Sequence, residues 1–440
     1  MTWSLRSTAV VLPDGVRPAT LVMADGRIAA VLGHDLASEG VVDVGSLTVS
    51  PGLVDSHVHV NEPGRTEWEG FATATRAAAS GGVTTLVDMP LNSVPPTTTV
   101  SALELKRSAA AGKVHVDVAF WGGVTSSDTS AVASLADAGV CGFKVFLVPS
   151  GVDEYGWVDA GGLTAALSAA GDLPVLVHAE APGPLEGAPR PHGRSYAAYL
   201  ASRPDSAEVV ALEMVLAALR ATRGRAHILH LSSADGLAVT ERARGVGLRL
   251  SVETCPHYLS LAAEDIPDGA TQAKCAPPIR GRVNRELLWA ALGDGRIDFV
   301  ASDHSPAPPA VKALDTGDFG AAWGGIAGLQ TALPVVWTEA SNRGHGLLDL
   351  ARWQSQRPAA MAGLAGKGSI AVGNDADLVV WDPDASFVLD ATALAQRHAI
   401  SPWHGRTLRG VVHTTYLRGM AVDIGGEPNG VLLRRGERVA

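Results

Sequence analysis

The chain has 440 residues, 46% hydrophobic and 18% charged, a composition that builds an ample globular core and excludes a disordered chain. A formal net charge of −10, with no dense cluster of Lys and Arg, argues against a nucleic-acid partner. Three cysteines, Cys141, Cys255 and Cys275, show no Cys-x-x-Cys spacing and exclude a disulfide framework or thiolate metal site, and with no signal or spanning segment the expectation is a cytoplasmic protein that uses no membrane.

Residues 1–50 read as short strands, at 9–12, 19–23 and 28–32, with Asp-Gly pairs at 14–15 and 25–26 marking hairpins. From residue 51 the pattern changes to short β-branched runs, each followed by an Ala-rich or amphipathic stretch. Eight runs are found, at 53–59, 83–89, 115–121, 141–147, 174–178, 226–230, 248–253 and 298–302. The segments 67–80, 160–170, 207–220 and 285–292 have the period and composition of helices. Eight alternations predict an α/β fold, a closed (β/α)8 TIM-like barrel over 51–366. Within it the Pro- and Gly-rich segment 181–193 reads as a long mobile loop. Residues 367–440 return to strands, at 378–381 and 411–417, with a turn at Gly425-Gly426. The two β-rich ends, 1–50 and 367–440, are expected to pair into one small β-sandwich domain.

In such a barrel the reactive groups gather where the strands end, because those side chains converge on one open mouth. His57 and His59 close the first run, and strand alternation sends both the same way, as two ligands of one metal ion require. Lys144 lies in the fourth run, His178 ends the fifth, His230 ends the sixth and Asp303 follows the eighth. Each has an ordinary alternative: a snorkelling lysine, core histidines, a helix N-cap at Asp303. Six ligand-type residues at one address favour a metal hydrolase over six separate accidents. An ammonium among metal ions is repelled, so Lys144 fits only if converted by carbon dioxide to a carbamate, which reverses its charge and offers two oxygens. His227 falls on the opposite face of its strand, and His257 and His304 are assigned to loop or supporting hydrogen bonds.

Several phrases then fall into place: Pro51-Gly-Leu-Val-Asp-Ser-His-Val-His59, Glu62-Pro-Gly-Arg65, Met89-Pro-Leu-Asn92, Gly142-Phe-Lys144, Lys274-Cys-Ala-Pro-Pro-Ile-Arg280, Ser302-Asp-His-Ser-Pro306 and Trp323-Gly-Gly-Ile326. The chain resembles the cyclic-amide branch of the amidohydrolase superfamily over nearly its whole length, and within that branch the allantoinases. The resemblance implies hydrolysis of a small cyclic amide, the hydantoin ring of allantoin, by a hydroxide bridging two divalent ions. Zinc is the expected metal, with manganese or cobalt as alternatives. It places His57, His59 and Asp303 on one ion and His178 and His230 on the other, with carboxylated Lys144 between them. Asp303 becomes the catalytic proton carrier, and a homotetramer is implied. Substrate contacts are expected from Arg65, Asn92, Cys275 and the backbone near Gly325 and Ile326. The same phrases leave dihydroorotase and D-hydantoinase (dihydropyrimidinase) as neighbouring readings, and a non-catalytic relative as a distant one. The chain also departs from the pattern: Ala179-Glu180-Ala181 stands where Cys-Glu-Asn is expected, and no Tyr closely follows Lys144, where hydantoinases carry one.

Overall fold

The structure, a computed structural model, describes residues 2–36 and 40–439. Its first five strands are β1 (Thr2–Leu12), β2 (Gly15–Ala24), β3 (Arg27–Gly33), β4 (Val41–Asp43) and β5 (Thr48–Pro51). β1, β2 and β3 form an antiparallel meander, with Leu12 opposite Gly15 and Ala24 opposite Arg27. Asp25 and Gly26 both have positive φ, 52° and 76°, the hairpin geometry that an Asp-Gly pair favours. β1 starts well before residue 9, because a register shift between Ser7 and Val10 breaks the alternation that would have revealed its first half.

The barrel strands are β6 (Leu53–Val58), β7 (Val83–Asp88), β8 (Asp117–Phe120), β9 (Gly122–Gly123), β10 (Phe143–Phe146), β11 (Pro174–His178), β12 (Arg225–Ile228), β13 (Arg249–Thr254) and β14 (Phe299–Val300). All eight sequence runs contain strand; β8 lies within the third, and β9 follows just after that run ends at residue 121. Neighbours pair in parallel from β6 to β8 and from β9 to β14. The ring closes by a parallel bridge between Val58 and His304, where the His59 N–H donates to the His304 carbonyl at 2.8 Å. Asp55 ties the same seam from inside, accepting from the Ser302 N–H at 3.2 Å. β6, β7, β8, β10 and β11 are buried at every position, which explains their continuous apolar character: a parallel sheet covered by helices has no wet face.

Helices follow where periodicity placed them: Phe71–Ser80, Ala160–Ala170, Asp205–Thr222 and Arg282–Gly293. The first starts later than residue 67 because its cap is remote: Glu62 accepts from the Phe71 N–H at 2.8 Å, and the intervening residues turn. Ala160–Ala170 begins at its local Asp159 cap, which accepts from the Gly162 N–H at 2.8 Å. The expected loop 181–193 contains a short helix, Pro182–Glu186, opened by a proline in its first turn.

The remaining strands, β15 (Leu378–Val388), β16 (Thr407–Leu417) and β17 (Met420–Ala421), join the N-terminal ones. β15 runs antiparallel to β5, with Leu378 opposite Pro51, giving the order β17-β16-β15-β5-β1-β2-β3, with β4 on β1. Leu5, Leu21, Val49 and Leu378 form part of this sheet's own core. The tail then leaves the sheet: the Val118 N–H on β8 donates to the Val431 carbonyl, and the Leu433 N–H returns the bond to the Val118 carbonyl. We propose 1–50, 51–366 and 367–440 as the folding units, with the tail shared.

A buried charge joint links the sheet to the barrel. The Lys367 ammonium lies 2.6 Å from Asp117 of β8, 2.8 Å from Asp375 and 2.7 Å from Asp377. Arg418 adds a second cation on Asp117 at 2.6 Å.

Candidate metal centre

At the C-terminal ends of the barrel strands the sequence-singled residues come together. His57 Nε2 lies 3.1 Å from Asp303 Oδ1, and His59 Nε2 lies 3.5 Å from the same oxygen. His178 Nδ1 and His230 Nε2 are 3.0 Å apart. The rings of His57 and His230 have centroids 5.4 Å apart, which connects the two groups. Lys144 is buried, projects from β10 on the same face as Phe146, and has its ammonium 4.9 Å from the Phe146 ring centroid. Phe146 in turn stacks on His178 at 4.5 Å. His230 and Asp303 hold left-handed backbone, φ 37° and 46°, a conformation of order 1–3 kcal/mol above the usual one and one that clusters at functional sites.

The donor set fits a cation. Glu253 Oε1 accepts from His57 Nδ1 at 2.5 Å, so the His57 Nε2 lone pair faces the Asp303 carboxylate, and that nitrogen has no hydrogen-bond partner. Glu180 Oε2 fixes His178 the same way, accepting from Nε2 at 2.8 Å and leaving Nδ1 as a lone pair. That lone pair meets His230 Nε2, while His230 Nδ1 is buried without a partner. Neither tautomer of His230 satisfies both of its nitrogens. Two imidazole nitrogens on one tetrahedral ion are about 3.3 Å apart, close to what is observed. Electrostatics make the same demand: burial opposes a proton on His57, yet Asp303 and Glu253 outweigh it and raise its pKa to about 9. Burial drives His59 down to about 3 and His230 well below the ordinary imidazole value. Burial alone would raise Asp303, but His57 and its neighbours hold the carboxyl well below the usual range. Burial lowers the Lys144 ammonium to about 8, which raises the share of neutral amine above that of an ordinary lysine.

His59, Lys144, His178, His230 and Asp303 floor a cavity of about 440 Å³, and His57 lies beneath it against Asp303. Asn92 lines it in a left-handed conformation (φ 64°), with its amide nitrogen 3.4 Å from His59 Nδ1 and its side-chain oxygen buried and unpartnered. The other four expected substrate residues do not line it. The Arg65 guanidinium is held by Glu154 and by the Asn92 carbonyl at 3.1 Å, and covers Trp68. Cys275 is buried behind Tyr199, whose hydroxyl donates to the Cys275 carbonyl at 2.6 Å. The Gly325 N–H and carbonyl serve Lys274 and Lys312, and the Ile326 carbonyl accepts from Ser305. Their polar groups are already engaged by the loops that carry them.

The amidohydrolase family profile matches residues 48–422. The chain belongs to the amidohydrolase family. An allantoinase of Streptomyces avermitilis is 52% identical, over 98% of each chain. The Saccharomyces cerevisiae allantoinase is 42% identical over 95% of each chain, and that of Arabidopsis thaliana 42% over 95% of this chain and 87% of its own. Among solved structures, the L-hydantoinase (dihydropyrimidinase) of Arthrobacter aurescens superposes with a TM-score of 0.90 at 30% identity, covering 98% of this chain and all of its own. The dihydropyrimidinase of Brevibacillus agri gives 0.90 at 27%. Family and donor set together support the use of divalent metal by this amidohydrolase.

Sequence reasoning missed the groups that orient the amidohydrolase ligands. Glu253 ends the seventh run, the same address as the ligands, and was legible from position alone. It engages His57, His227 at 3.0 Å and the His230 N–H at 3.3 Å. Burial opposes its charge, but His57 and His227 bring it down to about 2. Glu180, which keeps the expected Glu between the departures Ala179 and Ala181, orients His178 and is held by Arg203 from a distant turn, which no local pattern announces. Tyr155 serves Lys144 from eleven positions on, its hydroxyl donating to the Lys144 carbonyl at 2.7 Å. Among the described residues no helix is long and apolar enough to cross a membrane.

Proposed function

We propose that this amidohydrolase is an allantoinase, opening the hydantoin ring of allantoin to allantoate. The observation that carries the reading is the convergence of His59, His178, His230, Lys144 and Asp303 on one cavity, with His57 behind them against Asp303 and ring nitrogens of His57 and His230 left unpartnered. The whole-length likeness to allantoinases supports the substrate. His57, His59 and Asp303 would hold one ion and His178 and His230 the second, with zinc first choice and manganese or cobalt alternatives. Lys144 would bridge as a carbamate: its neutral amine forms a bond to the carbon of carbon dioxide and loses a proton. Bound ions would bring the pKa of a water toward neutrality and polarise the ring carbonyl.

The chain's own residues do the rest. Asp303, beside the ligands and held as a carboxylate, takes the proton of the attacking water and returns it to the ring nitrogen as the C–N bond breaks. Asn92 presents its free amide oxygen to a ring N–H. Arg65 acts as a positioning residue through the Asn92 carbonyl. A homotetramer in the cytoplasm completes the reading. The test is metal-loaded protein with allantoin, followed by allantoate release, with hydantoin and dihydroorotate assayed beside it. No turnover of allantoin with zinc, manganese or cobalt rejects the assignment, and faster turnover of either other substrate transfers it.

A further inference from the structure

Three cationic side chains line the cavity, and two are accounted for. Lys144 belongs to the ligand cluster, and Arg203 is ion-paired with Glu180. The third, Lys274, is only 8% exposed, yet among the described residues no carboxylate lies within ion-pair distance of its ammonium. Its one hydrogen bond goes to the Ala322 carbonyl at 2.5 Å, and it sits 5.1 Å from the Tyr199 ring centroid. Donors on the ammonium remain unused. A buried ammonium without a counter-ion is costly to hold, and such groups in clefts mark ligand sites. Burial lowers its pKa to about 8, with Arg203 adding to the fall and Asp318 opposing it. Its backbone is fixed: the Lys274 carbonyl accepts from the Gly325 N–H at 2.8 Å and from the buried Lys312 ammonium at 3.3 Å.

We propose that Lys274 is the specificity-determining group for the substrate's arm: its ammonium donates to the ureido carbonyl oxygen while the metal end holds the ring. The inference rests on the allantoinase reading and deepens it. The site therefore selects cyclic ureides carrying an acceptor oxygen on the ring substituent, and gains nothing from the bare ring. The residue acts in binding, not in bond breaking.

Steady-state kinetics of the metal-loaded enzyme test this, with allantoin as substrate and hydantoin, the same ring without the arm, as competitive inhibitor. Lys274→Met should raise KM for allantoin about ten- to hundredfold, the usual weight of a charged hydrogen bond. The hydantoin inhibition constant should move less than about twofold, and Lys274→Arg should recover most of the allantoin affinity. Lys274→Gln, which keeps a donor for the Ala322 carbonyl, separates lost charge from a disturbed wall and should resemble the Met variant. Equal weakening of both compounds, or unchanged KM for allantoin, overturns the assignment. A wild-type enzyme inert toward allantoin overturns the functional reading itself and this inference with it, whereas an active wild type with an indifferent Met variant removes Lys274 alone.

Discussion

Both carboxylate oxygens of Glu253 are engaged by histidines, and one of them sets the tautomer of His57. Glu253→Gln keeps the shape but loses the charge that holds Nδ1 protonated, so metal affinity should fall about 10–100-fold, read by chelator competition. Unchanged affinity would show that Asp303 alone orients the ring. His57 also predicts a pH effect. Its metal-free pKa of about 9 exceeds the ordinary value of 6.5, because Asp303 and Glu253 outweigh burial. The folded metal-free chain therefore holds that proton more tightly than the unfolded chain, a stabilisation complete below about 6.5 and lost as pH rises through about 9. A metal ion must displace the same proton, so affinity should rise with pH up to about 9, with proton release on loading. Calorimetry in buffers of differing ionisation enthalpy measures that release. At this scale the sequence spoke through position: His57, His59, Lys144, His178, His230 and Asp303 share one address on the strands. Glu180 and Arg203 were hidden because their partnership depends on the path of a loop, which periodicity does not encode.

The helix Asp205–Thr222 shows how an element holds the site from behind. Its buried Glu208 accepts from the Ser232 N–H at 2.9 Å and from the Ser232 hydroxyl at 2.8 Å, just beyond His230. Arg280 closes the group with a 2.8 Å bond to the same carboxylate. Glu208→Ala would leave the Ser232 N–H, the Ser232 hydroxyl and the Ser233 N–H without their carboxylate, and Arg280 with Asp205 as its remaining carboxylate beside the Ser232 hydroxyl and the Arg203 carbonyl. The expected loss is about 3 kcal/mol, the low end for a broken buried pair because Asp205 is retained. Urea unfolding checks it, and a loss below about 1 kcal/mol would mean that water replaces the carboxylate. The helix itself was plain in the sequence from its apolar period, but the purpose of one buried glutamate on its inner face was not.

For the whole molecule, the eightfold alternation between residues 51 and 305 made the barrel legible, since buried parallel strands and covering helices repeat a simple pattern. The pairing of β15 with β5 was legible only as two β-rich ends, because long-range register leaves no local trace. The tail that returns to β8 was not foreseen, and neither was the Lys367 joint that binds sheet to barrel. Lys367→Met leaves Asp117, Asp375 and Asp377 buried with Arg418 as the remaining cation, and should destabilise the fold by about 3–5 kcal/mol. Burial already raises the Asp377 pKa, so the folded variant takes up protons that the unfolded chain does not, and its deficit should shrink as pH falls from 8 to 5. Thermal unfolding across that range measures both effects.

That joint also bears on how metal content is interpreted. Three carboxylates within 4.8 Å of one another have the spacing of a cation cage, but the occupant is tethered to the chain and cannot be washed out or exchanged. Dialysis against chelator, or loading with excess zinc, therefore leaves this cage untouched. Among the described residues this is the one such group apart from His57, His59 and Asp303, so ions counted per polypeptide are not inflated by it.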